Sequence, residues 1–77
     1  MPSNLICALG TVLRDARRSQ GLSQESLASA VGLHRNTIGM IERAEIAVAA
    51  DTLEGICIAV GLAPWEVLLE ADFRQRT

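Results

Sequence analysis

Gln24 to Arg43 reads QESLASAVGLHRNTIGMIER, two helical runs on either side of a glycine. The first run, Gln24 to Val31, follows Ser23, whose hydroxyl can accept a hydrogen bond from an otherwise unpaired N–H of the first turn. Gly32 ends it, because a residue without Cβ enters the left-handed conformation at a helix end at no steric cost. The second helix is predicted over Arg35 to Arg43. Its Ile38 and Ile41, three apart, turn toward Leu27, Ala28, Val31 and Leu33, the one-stripe pattern of an amphipathic helix. Ala28 is small enough for the two helices to cross closely. The outer face of the second helix carries Arg35, Asn36, Thr37, Gly39, Met40 and Arg43: hydrogen-bond donors, one thioether and no bulk.

Such a surface suits the edges of base pairs. An α-helix fits the DNA major groove, where arginine bonds guanine at two points, asparagine does the same for adenine, and an apolar group meets the thymine methyl. Leu22, Ser23, Gln24, Glu25, Leu27, Ala28, Gly32, Ile38, Ile41, Glu42 and Arg43 form, without a gap, the pattern LSQExLA, a glycine turn, then IxxIER. On these positions the chain resembles the phage repressor and Cro family, also called the XRE family, of helix-turn-helix proteins. From the residues alone the same face would be an ordinary solvated helix surface. The motif match is what selects DNA.

The resemblance implies an all-α, lambda repressor-like domain of five helices with double-stranded DNA as its partner; no cofactor, metal or small-molecule ligand is expected. It implies residue roles as well. Gln24 bonds a phosphate through its side chain and through the N–H groups at that helix start. Arg35, Asn36, Thr37 and Met40 stand where the family's base-reading residues stand. Arg43 is assigned a phosphate, and Gly39 lets the backbone come close. The arginine at position 17 pairs with Glu42, a structural ion pair that ties the first helix to the reading helix through a bidentate bond.

The chain of 77 residues is expected to form one domain, residues 1–77, around the motif at 24–43. Its hydrophobic fraction of 49% supplies a helical core and excludes a disordered tail. A chain this short buries only about 60–65% of its unfolded surface, so a second copy would add needed burial. No apolar run approaches the roughly 20 residues that span a bilayer. Met1-Pro2-Ser3-Asn4 lacks the basic start of a secretory signal, which points to the cytoplasm. Cys7 and Cys57 are too far apart in sequence for a CxxC site and are expected to stay reduced. Cys57 falls on an apolar stripe as a small core residue, and Cys7 is open to being packed or partly exposed. His34, the one histidine, has no second ligand for zinc and is expected to cap the second motif helix or flank DNA.

Net charge is −2, yet it is unevenly spread. Residues 1–43 carry Arg14, Arg17, Arg18, Arg35 and Arg43 against Asp15, Glu25 and Glu42, a local balance of +2. Residues 44–73 carry Glu45, Asp51, Glu54, Glu66, Glu70 and Asp72 with no base, or −6, and Arg74 and Arg76 close the chain. A basic reading half and an acidic far half orient a protein on DNA. There is no lysine.

In order, the first helix is predicted over Asn4 to Ser19, capped by Ser3, with Leu5, Leu9, Val12, Leu13 and Ala16 near one face and Gly10 a mild cost inside it. Gly21 ends it. Ala44 to Ala50 is a connecting loop that departs from the family, which has a glycine after ER and then Pro-Ser. Ala44 removes the residue best suited to a left-handed helix end, and Val48-Ala49 removes a helix cap worth about 1 kcal/mol. The apolar Ile46 and Val48 suggest that something covers the loop. The fourth helix is predicted over Ala50 to Val60, with Leu53, Ile56, Cys57 and Val60 inward and Gly61 at its end. Ala63-Pro64-Trp65-Glu66 opens the fifth, proline being at home in a first turn.

In the fifth helix Val67 and Leu68 match the family's core pair and are expected inward. Trp65, Leu69 and Phe73, spaced by four, share another face that either patches the edge of the domain's own core or forms a two-fold dimer interface within residues 64–77. The expectation is a homodimeric, sequence-specific transcriptional regulator on palindromic operators, most similar in HRNTIGMIER to restriction–modification controllers. The alternative is an antitoxin-like protein-interaction module with secondary DNA binding. An enzyme is not expected, since no cluster of His, Cys, Ser and acidic residues forms a site.

Overall fold

A computed structural model of the protein describes residues 4–76. Five helices follow one another, α1 (Asn4–Ser19), α2 (Gln24–Val31), α3 (Arg35–Glu42), α4 (Ala50–Val60) and α5 (Pro64–Arg76), with no strand among the described residues. Ser3, the cap expected for α1, lies outside the described residues. None of the five helices is by itself long and apolar enough to cross a membrane.

Four helices end in the same way. Gly21, Gly32 and Gly61 are left-handed at φ of 71°, 72° and 76° after α1, α2 and α4. After α3 the position belongs to Ala44, at φ 59°. There Ala44 N–H donates to the Ile41 carbonyl at 3.1 Å and Glu45 N–H to that of Met40 at 2.8 Å, the paired bonds of a Schellman motif. The missing glycine therefore does not change the turn. The alanine adopts the left-handed conformation and bears a steric cost on the order of 1 kcal/mol. At the next helix start Ala49 has no side chain to cap α4. The Asp51 carboxylate accepts the Thr52 N–H at 2.8 Å instead. Of the two apolar loop residues, Val48 packs against the core and Ile46 is exposed.

The core lies where α1 crosses the other helices. Leu13, Leu27, Ile38, Ile56, Cys57, Val60 and Val67 are fully buried, and each of the larger aliphatic side chains contributes about 1.5–3 kcal/mol relative to exposure. The broadest packing is α1 against α5, and α2 pairs with α3. Arg74 fastens the first of these pairs, donating to Asp15 on α1 at 2.8 Å and to Glu70 one turn back at 2.9 Å.

Two expectations are corrected. A Cβ on Gly10 would stand 2.7 Å from the backbone carbonyl oxygens of both Ile41 and Glu42. Gly10 is therefore a requirement of the α1–α3 crossing rather than a cost inside α1. Leu68, expected inward, is 39% exposed. The helix docks through Val67 and Ala71, both fully buried and one turn apart, and a residue next in sequence sits about 100° round the helix from that stripe.

Candidate nucleic-acid interface

The α2–turn–α3 unit is built by opposed demands. Ser23 Oγ accepts the Ser26 N–H at 2.9 Å and starts α2. Leu27 and Ala28 then pack against Ile38 and Ile41 of α3 in the shared core. The opposite side of α3 presents exposed Arg35 and Asn36, half-buried Thr37 and Met40, and exposed Arg43 just beyond its last turn. His34 occupies the N-cap position, but its side chain makes no capping bond. It is exposed beside Arg35.

Glu42 holds this helix in place. Glu42 and Arg17 are 8% and 6% exposed. Arg17 Nε donates to Oε2 at 2.7 Å and Nη2 to Oε1 at 3.1 Å, while Nη1 reaches the Leu22 carbonyl at 2.7 Å. Gln24 Nε2 also donates to Glu42 Oε1, at 3.1 Å. One carboxylate thus joins α1, α2 and α3. The Gln24 amide, expected on phosphate, already gives one hydrogen to this network, and its second N–H is the one left for DNA.

On α5, Trp65, Leu69 and Phe73 are 67%, 61% and 61% exposed. They do not patch the edge of the chain's own core. Ile58 of α4 is 73% exposed as well. Sequence reasoning does not single it out, because it lies off the buried stripe that defines α4.

Residues 13–64, from the core of α1 to the start of α5, match the helix-turn-helix family. The control protein C.BamHI of Bacillus amyloliquefaciens is 38% identical over 69 residues, 88% of this chain and 85% of that one. The structure of the clp gene regulator ClgR from Corynebacterium glutamicum matches with a TM-score of 0.90 at 30% identity, over 94% of this chain and 77% of that one. The restriction-modification controller protein C.AhdI from Aeromonas hydrophila matches with a TM-score of 0.77 at 34% identity, over 80% and 94% of the two chains. The chain belongs to the XRE family of helix-turn-helix DNA-binding regulators.

In this XRE protein α3 is the recognition helix by position, and its end holds an ion pair that sequence reasoning missed. Arg43 Nε donates to the Glu45 carboxylate. That hydrogen bond, and then the charge of Glu45, raise the guanidinium above its ordinary pKa. The guanidinium lies across Gly39, where a Cβ would come within 2.9 Å of Nη1. Gly39, expected to leave bare backbone for DNA, is covered by Arg43. An acid two residues after the arginine was the available signal, but only the left-handed Ala44 brings the two side chains together.

Proposed function

We propose that this XRE regulator binds a palindromic DNA operator as a homodimer and acts as a dose-dependent controller of its own operon, in the manner of restriction–modification controllers. Arg35, Asn36, Thr37 and Met40 read base edges, and Gln24 and Arg43 contact phosphates. The observation that carries the reading is the outer face of α3, where Arg35 and Asn36 are free of packing on a helix whose other side is anchored by Ile38, Ile41 and buried Glu42. Similarity to C.BamHI and C.AhdI supports the controller role. The apolar α5 face supports self-association.

Arg35→Ala should weaken binding by about 1–3 kcal/mol and relax preference at one base pair in each half-site. Titrations against a panel of single-base operator variants check this. Equal weakening on every sequence would reassign Arg35 to the backbone. The exposed Trp65, Leu69 and Phe73 also favour a second reading, in which a different protein docks on α5 as in antitoxins. Solution mass separates the two.

A further inference from the structure

We propose that Glu45 acts as an internal phosphate mimic, holding Arg43 folded back across the recognition helix so that DNA must displace a carboxylate before Arg43 can engage it. The inference rests on the reading of α3 as a DNA-contacting helix. Three features of the chain converge on it. Gly39 lacks the side chain that would stand in the guanidinium's seat, since a Cβ there would meet Nη1 at 2.9 Å. Ala44 is left-handed, and the Glu45 N–H is fixed to the Met40 carbonyl at 2.8 Å, so the turn returns the Glu45 side chain toward Arg43. The Glu45 carboxylate then accepts from Nε, the guanidinium edge that a phosphate oxygen would also use.

The ion pair is solvent-exposed, with side chains 59% and 50% accessible, so exchange is fast and the barrier small. Its effect is on equilibrium affinity. An arginine already satisfied by a carboxylate gains less from a phosphate than a free one does. Glu45 carries no base readout, so it weakens specific and non-specific binding together. It therefore lowers the affinity for DNA of any sequence.

The test is DNA titration at fixed salt with wild type, Glu45→Gln, Arg43→Ala and the double variant, each on an operator and on unrelated duplex. The inference expects Glu45→Gln to tighten binding roughly threefold to fivefold on both duplexes, the upper range for release of an exposed ion pair. It expects that gain to disappear in the Arg43→Ala background. A salt series on Arg43→Ala alone should show the slope of log K against log salt shallower by about 0.9, the value for one neutralised phosphate. An equal gain with and without Arg43 would mean that Glu45 acts only through its general field, and no gain at all would mean that the pair does not compete with DNA. Either result overturns the proposal. Failure of the wild-type protein to bind any duplex would instead overturn the DNA-contacting reading of α3.

Discussion

Glu42 meets three N–H donors in a site where water scarcely reaches. Moving a carboxylate and a guanidinium out of water costs several kcal/mol for each ion, offset only where geometry is good and the remaining lone pairs are satisfied. Both conditions hold here, with two bonds from Arg17 and one from Gln24 on the carboxylate, and a third Arg17 donor on the Leu22 carbonyl. Removing one ion is therefore far worse than removing both. Arg17→Met or Glu42→Leu alone should destabilise the fold by about 3–5 kcal/mol, a large share of a typical total of about 5–15 kcal/mol. The double variant should recover much of the loss. A double-mutant cycle in urea measures it, and strict additivity would show that the two side chains do not interact. The Arg17–Glu42 pairing is legible in the sequence only through the family resemblance that implies it, and the structure forms it. The Arg43–Glu45 pairing is not legible there, since two long side chains on exposed turns choose partners only after the backbone has turned.

At the scale of the helices, punctuation carried most of the information. Ser23 and the glycines at 21, 32 and 61 mark starts and ends by their chemistry, and α1, α2 and α4 fall on the boundaries read from them. What escaped the sequence is what depends on distance between elements. Gly10 differs in no local way from a helix-weakening glycine, and only the α3 carbonyls pressed against it show its purpose. Leu68 satisfies the apolar period, but which of two neighbouring residues faces inward is set by how α5 docks. These geometries predict opposite effects for one substitution. Gly55→Ala places a methyl 3.9 Å from Val31, at ordinary van der Waals distance, and should stabilise by about 0.5–1 kcal/mol through helix propensity. Gly10→Ala drives a methyl into backbone and should destabilise by about 1–3 kcal/mol. Ala44→Gly should gain about 0.5–1 kcal/mol by relieving the left-handed alanine. Thermal unfolding of the three variants checks all the signs, and a stabilised Gly10→Ala would refute the close crossing.

The molecule exposes a polar face on α3 and an apolar face on α5. Arg35 and Arg43 flank the recognition helix, while Trp65, Leu69 and Phe73 stand open on α5 among Glu66, Glu70 and Asp72. In a single copy of the chain this face stands in water, and a second copy placed over it would add burial. Two copies joined about a two-fold axis would set their α3 helices about 34 Å apart, so both enter successive major grooves on one side of the duplex. Self-association links stability to concentration, because a dimer that unfolds to monomers melts higher as protein is added. The wild-type midpoint should therefore rise over a hundredfold concentration series, and sedimentation should show mass falling from two chains to one on dilution. Trp65→Ala, exposed in the single chain, should leave the monomer folded yet remove both dependences, and it should weaken operator binding while sparing the interactions within each half-site. Inserting about five base pairs between half-sites should abolish tight wild-type binding, since it turns the second half-site to the far face of the DNA. A wild-type protein that sediments as one chain at high concentration would end the two-fold model and leave the α5 face to a different protein.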